Sequence, residues 1–337
     1  IWSLLISSLA TSTIITMSSH HWLLAWLGLE LNTLSILPII IKSHHPRATE
    51  ATTKYFIIQT MAAALILFAS TLNAWQTGHW SIMHTSTHAT FIITLAIMLK
   101  LGLAPMHAWY PEVLQGSTMN TALIISTWQK LAPLSLLYLI NNNLPTNIIL
   151  LMGLMSALIG GWTGLNQTQT RKIMALSSIA HMGWLIISLN LNMHLTTMTM
   201  MIYIIMTTAM FLSLNMTSTK TLTDMGTTWS QSPPLTALMM ITLLSLGGLP
   251  PLTGFIPKWL ILNNLCHMKL LMLSIIMAMA TLPSLFFYIR LAYFTTLTTP
   301  PTTAPNQYKW RFNTSLISSL TPTITMTALL LPLTHMT

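Results

Sequence analysis

Residues 22–41 read WLLAWLGLELNTLSILPIII, a segment in which Glu30 is the only charged side chain. An α-helix needs about 20 predominantly apolar residues to cross the hydrocarbon of a bilayer, and this segment has that length. Because the apolar run is continuous and does not alternate, it predicts a helix and excludes the strand of a transmembrane barrel. The segment is therefore a candidate transmembrane helix with a carboxyl group in its middle.

The rest of the chain has the same character. Its 337 residues include thirteen Lys and Arg but only four Asp and Glu, so 5% are charged, against about 25% in soluble domains. With a mean hydropathy of +0.67, the chain cannot cover a soluble surface and is predicted to be a membrane protein. The net charge of +9 does not indicate a nucleic-acid partner, because the longest basic run is Arg171-Lys172.

The same length rule predicts an all-α, polytopic bundle of about eleven transmembrane helices. They are expected near residues 1–17, 22–41, 51–74, 89–109, 118–140, 146–165, 173–190, 196–215, 234–263, 268–296 and 314–333. We expect the first to be truncated, and not a cleavable targeting segment, since it lacks a basic start and a cleavage-site pattern. The ninth is too long for one straight helix and is interrupted by Pro250 and Pro251.

The basic side chains predict the orientation of these helices. Lys269 is the only one in an odd-numbered loop, whereas the even-numbered loops and their margins hold Lys42, Arg47, Lys54, Arg171, Lys172, Lys220, Arg290, Lys309 and Arg311. Positively charged loops stay on the cytoplasmic or matrix side of a membrane. We therefore expect the N-terminus on that side and the C-terminus on the opposite side.

Four ionisable residues remain within the predicted helices: Glu30, Lys100, Lys130 and Lys258, with Glu112 near the end of another. A lysine at a helix centre costs roughly 2.5–3.5 kcal/mol on insertion scales. Because burial disfavours the charged forms of acids and bases alike, such side chains can exchange protons. A structural ion pair between helices is the alternative, but four such residues on four helices favour proton transfer.

Proline residues lie close to all three lysines, at positions 105, 133 and 257. Each proline removes an N–H group and frees a carbonyl one turn earlier. Inside a bilayer such a carbonyl is tolerated only where protein or water satisfies it. We therefore expect water beside these lysines; a simple packing kink is the alternative.

An internal repeat connects two of the interrupted helices. Residues 102–112 (GLAPMHAWYPE) align without gaps with residues 248–258 (GLPPLTGFIPK). Paired Gly- and Pro-interrupted helices in two halves are typical of transporters with inverted repeats. We predict a single membrane domain over residues 1–337, with repeat halves at about 22–165 and 173–296.

The remaining candidate groups are histidines and one cysteine. His181 has small polar neighbours in SSIAHMG (177–183) that could hold water, so it is a candidate proton relay, or else a structural histidine. His107 also lies near a predicted helix, but two isolated histidines do not make the ligand set of a membrane cytochrome. Cys266 is the only cysteine, so iron–sulfur ligation within the chain is excluded, and no nucleotide-binding glycine motif occurs. We expect no cofactor or metal in this chain.

These residues resemble the antiporter-like membrane subunits of respiratory complex I, and most closely the mitochondrially encoded subunit 2 family of NADH dehydrogenase. The resemblance is nearly end to end. Its most specific stretches are HWLLAWLGLE (21–30), HPRATEA (45–51), KLGLAP (100–105), GLNQTQTRK (164–172) and GGLPPLTGFIPKW (247–259). It implies the mitochondrial inner membrane, with the N-terminus in the matrix. It also implies other complex I subunits and lipids as partners, with NADH, FMN, iron–sulfur clusters and ubiquinone held by other subunits.

The resemblance also implies roles for the buried residues. Glu30 and Lys100 would form a pair that modulates each other's protonation, and Lys130 and Lys258 would continue a hydrated lateral axis coupled to quinone reduction. Typical members have further N-terminal helices, so the face left open here would need neighbours to cover it. Two alternatives remain. A stand-alone cation/proton antiporter would need another carboxylate near Lys130, and a non-pumping structural subunit would not need the lysines.

Overall fold

The structure is a computed structural model that describes residues 2–42, 44–296 and 319–329. Within these ranges the regular structure is helical, and no strand is formed apart from two isolated bridges. A 3₁₀ turn at Trp128–Lys130 separates α6 from α7. The helices are α1 (Trp2–Ser18), α2 (Trp22–Ile41), α3 (Pro46–Thr77), α4 (Thr87–Leu101), α5 (Trp109–Gly116), α6 (Met119–Ser126), α7 (Leu131–Ile140), α8 (Thr146–Gly164), α9 (Thr170–Leu191), α10 (Met193–Thr217), α11 (Leu222–Gln231), α12 (Pro233–Gly247), α13 (Phe255–His267), α14 (Leu271–Thr296) and α15 (Leu320–Leu329).

The predicted all-α membrane fold is confirmed. Among the described residues, seven helical segments are long and apolar enough to cross a membrane, one of them running from α6 through α7, and α1, α4 and α12 are shorter apolar helices. The last predicted helix, near 314–333, is described only where α15 covers part of it. Lys309 and Arg311 lie outside the described residues.

The chain divides into two compact units, Ile1–Ser156 and Ala157–Thr337. In the first unit α2 packs on α1 and α3, and α3 also contacts α4 and α5. Glycine allows two of these approaches, since a Cβ on Gly28 would lie 2.6 Å from Thr16 Cγ2 and one on Gly116 would lie 2.5 Å from the Arg47 carbonyl oxygen. Small residues at helix contacts are the usual way in which helices pack closely in lipid.

In the second unit α10 packs on α9, α12 and α15, and α14 packs on α11, α12 and α13. The guanidinium of Arg290, on α14, donates to the carbonyl oxygens of Leu165 (2.5 Å) and Gln167 (3.0 Å) in the loop after α8. A fixed pair of donors suits two neighbouring carbonyls. The predicted repeat halves at 22–165 and 173–296 remain a prediction.

The two predicted helix interruptions are present. Gly102 caps the C-terminus of α4 and Gly248 caps that of α12, with φ of 73° and 78°, and cis X–Pro bonds follow at Pro105 and Pro251. The chain resumes as α5 and α13. A left-handed residue is a common helix terminator and favours glycine, so both breaks end their first helix in the same way.

Helix α11 was not predicted. It begins with a capping box in which Thr221 and Asp224 bond reciprocally to each other's backbone N–H. Burial opposes ionisation of Asp224, but backbone N–H groups of Thr221 and Lys220, with the Thr221 hydroxyl, hold the pKa of this carboxyl below its ordinary value. The short polar helix α11 therefore begins where local capping stabilises its first turn. A rule based on the length of apolar segments does not detect such a helix.

The many serine and threonine hydroxyls bond within their own helices. Examples are Ser12 to the Leu9 carbonyl (2.9 Å), Ser177 to that of Met174 (2.8 Å) and Thr207 to that of Tyr203 (2.8 Å). A hydroxyl that donates to a carbonyl three or four residues earlier is satisfied without water or a partner helix. Hydroxyl-rich helices can therefore be buried without creating polar cavities.

Candidate functional site

Two of the predicted proton-transfer lysines line one cavity in the first unit. Lys100 and Lys130 border a space of about 20 Å³ together with Trp109, Tyr110 and further side chains, all from the first unit. A water needs about 10–15 Å³ of such volume. The cavity therefore has room for one water between elements that carry two ammonium groups.

Lys100 lies in the last turn of α4, directly before the break, and is 6% exposed. Its Nζ has no hydrogen-bond partner among the described residues, and neither does the buried indole Nε1 of Trp109, which lines the same cavity. Buried donors without an acceptor are costly. Both donors indicate a polar occupant such as water. The negative end of the α4 dipole also favours a cation at this position.

Lys130 ends the 3₁₀ turn Trp128–Lys130 and is 3% exposed. Its Nζ lies 5.1 Å from the centre of the Tyr110 ring. An ammonium group over an aromatic face gains a modest electrostatic stabilisation, larger when water is excluded. The ring thus supports a charge on Lys130 where no carboxylate lines the cavity.

Glu30 is half-buried on α2, and its Oε2 accepts a hydrogen bond from the Thr33 hydroxyl (3.0 Å). It forms no salt bridge within 4.0 Å with Lys100; among the described residues of this unit, Lys54 supplies the ion pairs. The expected Glu30–Lys100 pair is therefore not a direct contact in this structure. Its interaction would act through space or through water.

Glu112 does not belong with the buried ionisable residues. Its carboxylate accepts from Lys54 Nζ at 2.7 Å, and Lys54 also pairs with Glu50; all three side chains are exposed. The pair joins the first turn of α5 to α3. An exposed pair of this kind contributes little stability, because water and salt screen the attraction. It is a surface contact between α3 and the second half of the broken helix.

Lys258 and His181 line a second cavity, also of about 20 Å³, in the second unit. Lys258 is half-buried in the first turn of α13, and its Nζ donates to the Gly247 carbonyl at 2.8 Å across the break. That carbonyl ends α12, where backbone acceptors lack helical partners. Lys258 therefore satisfies the helix end and reaches the cavity beside His181.

His181 makes contacts on two sides. Its Nε2 lies 3.3 Å from the Tyr288 hydroxyl, and its ring centre lies 5.9 Å from that of Tyr203. An imidazole in hydrogen-bond contact can pass a proton between its two nitrogens. His107, by contrast, bonds to the Pro105 carbonyl (3.2 Å) and lines neither cavity.

Several polar residues at the first cavity were not predicted from the sequence. Asn32, Gln59 and Gln129 lie within apolar stretches, and Gln59 Nε2 donates to the Lys100 carbonyl (3.4 Å). The available signal was the rule that polar side chains inside membrane helices face the bundle interior and bond across helices. That rule applies to uncharged amides as well as to lysines.

In the described ranges no group of three His, Cys, Asp or Glu residues could hold a metal ion. The prediction that this chain carries no cofactor stays a prediction. Cys266, the only cysteine, is exposed and free.

Comparison with known proteins gives matches over nearly the whole chain. Residues 19–284 match a family model described as NADH:quinone oxidoreductase/Mrp antiporter, TM, and residues 285–337 match NADH dehydrogenase subunit 2 C-terminus. The chain is 54% identical to the NADH-ubiquinone oxidoreductase chain 2 of Carassius auratus, over 98% of this chain and 96% of that one. It is 52% identical to the same-named protein of Gallus gallus, over 97% and 94%.

Solved structures show the same fold. A chain of respiratory complex I from Thermus thermophilus superposes with a TM-score of 0.84 at 24% identity, covering 98% of this chain and 79% of that one. A chain of the Mrp complex from Dietzia superposes with a TM-score of 0.80 at 14% identity, covering 88% and 61%.

Proposed function

The chain belongs to the NADH:quinone oxidoreductase/Mrp antiporter family, with the C-terminal region of NADH dehydrogenase subunit 2, and on this premise we propose that its buried lysines carry protons. It is a membrane subunit of respiratory complex I, the proton-translocating NADH:ubiquinone oxidoreductase. We propose Glu30, Lys100, Lys130 and Lys258 as the proton-transfer residues, with His181 as a relay.

One observation carries this proposal: Lys100 and Lys130 are almost fully buried and line one cavity with room for a water. Burial works against a charge, whereas the end of α4 and the Tyr110 ring work in its favour. When the cost of burying the charge and its stabilisation by the helix end or the ring are similar, a lysine can both give up and accept a proton. A water between the two elements would let a proton leave one ammonium and reach the neutral amine of the other.

The second unit has a comparable arrangement. Lys258 can hold its proton against the Gly247 carbonyl, and His181 lies on the same cavity. A neutral imidazole nitrogen can accept a proton that an ammonium releases through water. We propose that this cavity serves proton transfer within the second unit, as the first cavity does within its own.

The setting follows from the same premise. We propose that the subunit lies in the mitochondrial inner membrane with its N-terminus in the matrix and its C-terminus in the intermembrane space. We further propose other membrane-arm subunits and lipids as its partners, with NADH, FMN, iron–sulfur clusters and ubiquinone bound elsewhere in the complex. The exposed apolar faces of α2, α3 and α14 support such contacts.

The test is Lys130→Met, which keeps the length of the side chain and removes the titratable group. In assembled complex within sealed inner-membrane vesicles, we expect fewer protons pumped per NADH oxidised. Lys269→Met is the matched control, because it removes one positive charge from an exposed loop position. If assembled Lys130→Met complex pumps with the wild-type stoichiometry, Lys130 does not carry protons and its role is structural.

A further inference from the structure

A network of side-chain hydrogen bonds lines the first cavity beside the two lysines. The Tyr55 hydroxyl donates to Gln129 Oε1 (3.4 Å), and Gln129 Nε2 donates to Asn32 Oδ1 (3.0 Å). Asn32 and Tyr55 are each 2% exposed, and Gln129 is half-buried. This hydrogen-bond network joins α2, α3 and the 3₁₀ turn, and all three side chains line the cavity.

The backbone around Lys130 is weakly held. The Lys130 N–H reaches the Thr127 carbonyl only at 3.4 Å, and 3₁₀ geometry gives poorer hydrogen bonds than an α-helix. Pro133 has no N–H, so the Gln129 carbonyl cannot receive the helical bond from four residues later. The Leu131 N–H also bonds to the Trp128 carbonyl, so the turn that carries Lys130 keeps backbone bonds but of weaker geometry than those of an α-helix.

The Gln129 side chain adds two hydrogen bonds to this turn. Its amide accepts from α3 and donates to α2, so both of its ends are bound at defined distances. Packing alone does not account for an amide here, because methionine would fill similar space without the cost of burying polar atoms. An amide that donates and accepts at once sets the position of the turn relative to both helices.

We propose that Gln129 is a positioning residue that holds Lys130 at the cavity it shares with Lys100. This inference rests on the proposed function, since it requires Lys130 to carry a proton. Gln129 itself exchanges no proton. It acts by keeping the Lys130 ammonium within reach of the water that links the two lysines.

The experiment uses Gln129→Met in assembled complex, with all measurements divided by the amount of assembled complex. A displacement of about 1 Å can cost a reaction about 100-fold, and we expect coupled proton transfer to fall about tenfold, with a changed pH profile of turnover. Gln115→Met is the matched control: it makes the same exchange at a half-buried position of α5 that does not line the cavity. We expect this control to pump normally.

A second variant removes the complication of unpaired polar groups. Asn32→Leu, Tyr55→Phe and Gln129→Met together replace all three bonded groups by apolar side chains, which is often close to neutral for stability. If Gln129 positions Lys130, this variant assembles better than Gln129→Met but still pumps poorly. If it restores both assembly and pumping, the hydrogen-bond network only connects the helices, and the inference is wrong.

The two proposals fail in different ways. Normal pumping and an unchanged pH profile in Gln129→Met, with loss of pumping in Lys130→Met, would overturn the positioning role and leave the carrier role standing. Normal pumping in Lys130→Met would overturn both. Loss of pumping in both variants, with a normal Gln115→Met control, is the result we expect.

Discussion

Replacing Gly248 by alanine tests how the second broken helix holds Lys258. Gly248 has a φ of 78°, and a Cβ there would lie 2.8 Å from Lys258 Nζ and 3.0 Å from its Cδ. Alanine in the left-handed region costs about 1–2 kcal/mol. Lys258 must also move, and losing a hydrogen bond from a charged donor costs about 1.5–3 kcal/mol. We expect a total destabilisation of about 2.5–5 kcal/mol at this break.

Two other glycines separate these contributions. Gly78 has a φ of 74°, and a Cβ added to it would have nothing within 4 Å, so Gly78→Ala isolates the backbone cost of about 1–2 kcal/mol. Gly102 has a φ of 73°, and its Cβ would meet Trp109 and Tyr110 at 3.4 Å, close to ordinary contact. We therefore expect Gly102→Ala to cost little more than Gly78→Ala, and Gly248→Ala to cost clearly more.

The assay is the loss of NADH:ubiquinone turnover after heating vesicles to a series of temperatures, together with the number of protons pumped per NADH. We expect Gly248→Ala complex to inactivate at the lowest temperature of the three and to pump fewest protons. The decisive comparison repeats Gly248→Ala in a Lys258→Met background, where the extra cost should vanish. An equal cost of Gly248→Ala in both backgrounds would refute the contact between this glycine and Lys258.

Two further predictions concern the first unit and the topology. Glu30→Gln combined with Lys100→Met should leave a complex that assembles but pumps poorly, as measured by proton uptake in vesicles; full recovery of pumping in the double variant would show a structural tie instead. Cysteine labels in loop 166–172 should react only from the matrix side of sealed vesicles, because that loop is basic, and reaction from the opposite side would overturn the helix count.

The sequence was sufficient to predict the features that depend on apolar length and on glycine or proline. The apolar helices and both breaks follow from continuous apolar runs and from the GLAP and GLPP segments, because these patterns act within about 20 residues. The burial of Lys100 and Lys130 followed in the same way, from their positions within apolar segments. His181 and Lys258 were identified singly, whereas their sharing of one cavity required the structure.

The remainder depends on distances that no local pattern encodes. The acceptor of Lys258 is a backbone carbonyl eleven residues earlier, and such an acceptor leaves no mark on residue type. The Asn32–Gln129 bond joins residues 97 positions apart. Likewise, the charges of Glu30 and Lys100 predict an interaction between them, yet the positions of α2 and α4 leave the two side chains without a direct salt bridge.

The intrahelical hydroxyl bonds also indicate which positions of this protein tolerate substitution. A threonine whose hydroxyl bonds to its own helix, such as Thr60 or Thr71 on the exposed side of α3, presents mainly its methyl group to the surroundings. Exchanges among threonine, alanine and valine at such positions should therefore be close to neutral for stability. The amide of Gln129 bonds instead to side chains of two other helices, so a substitution there affects the contacts between helices and is not expected to be neutral.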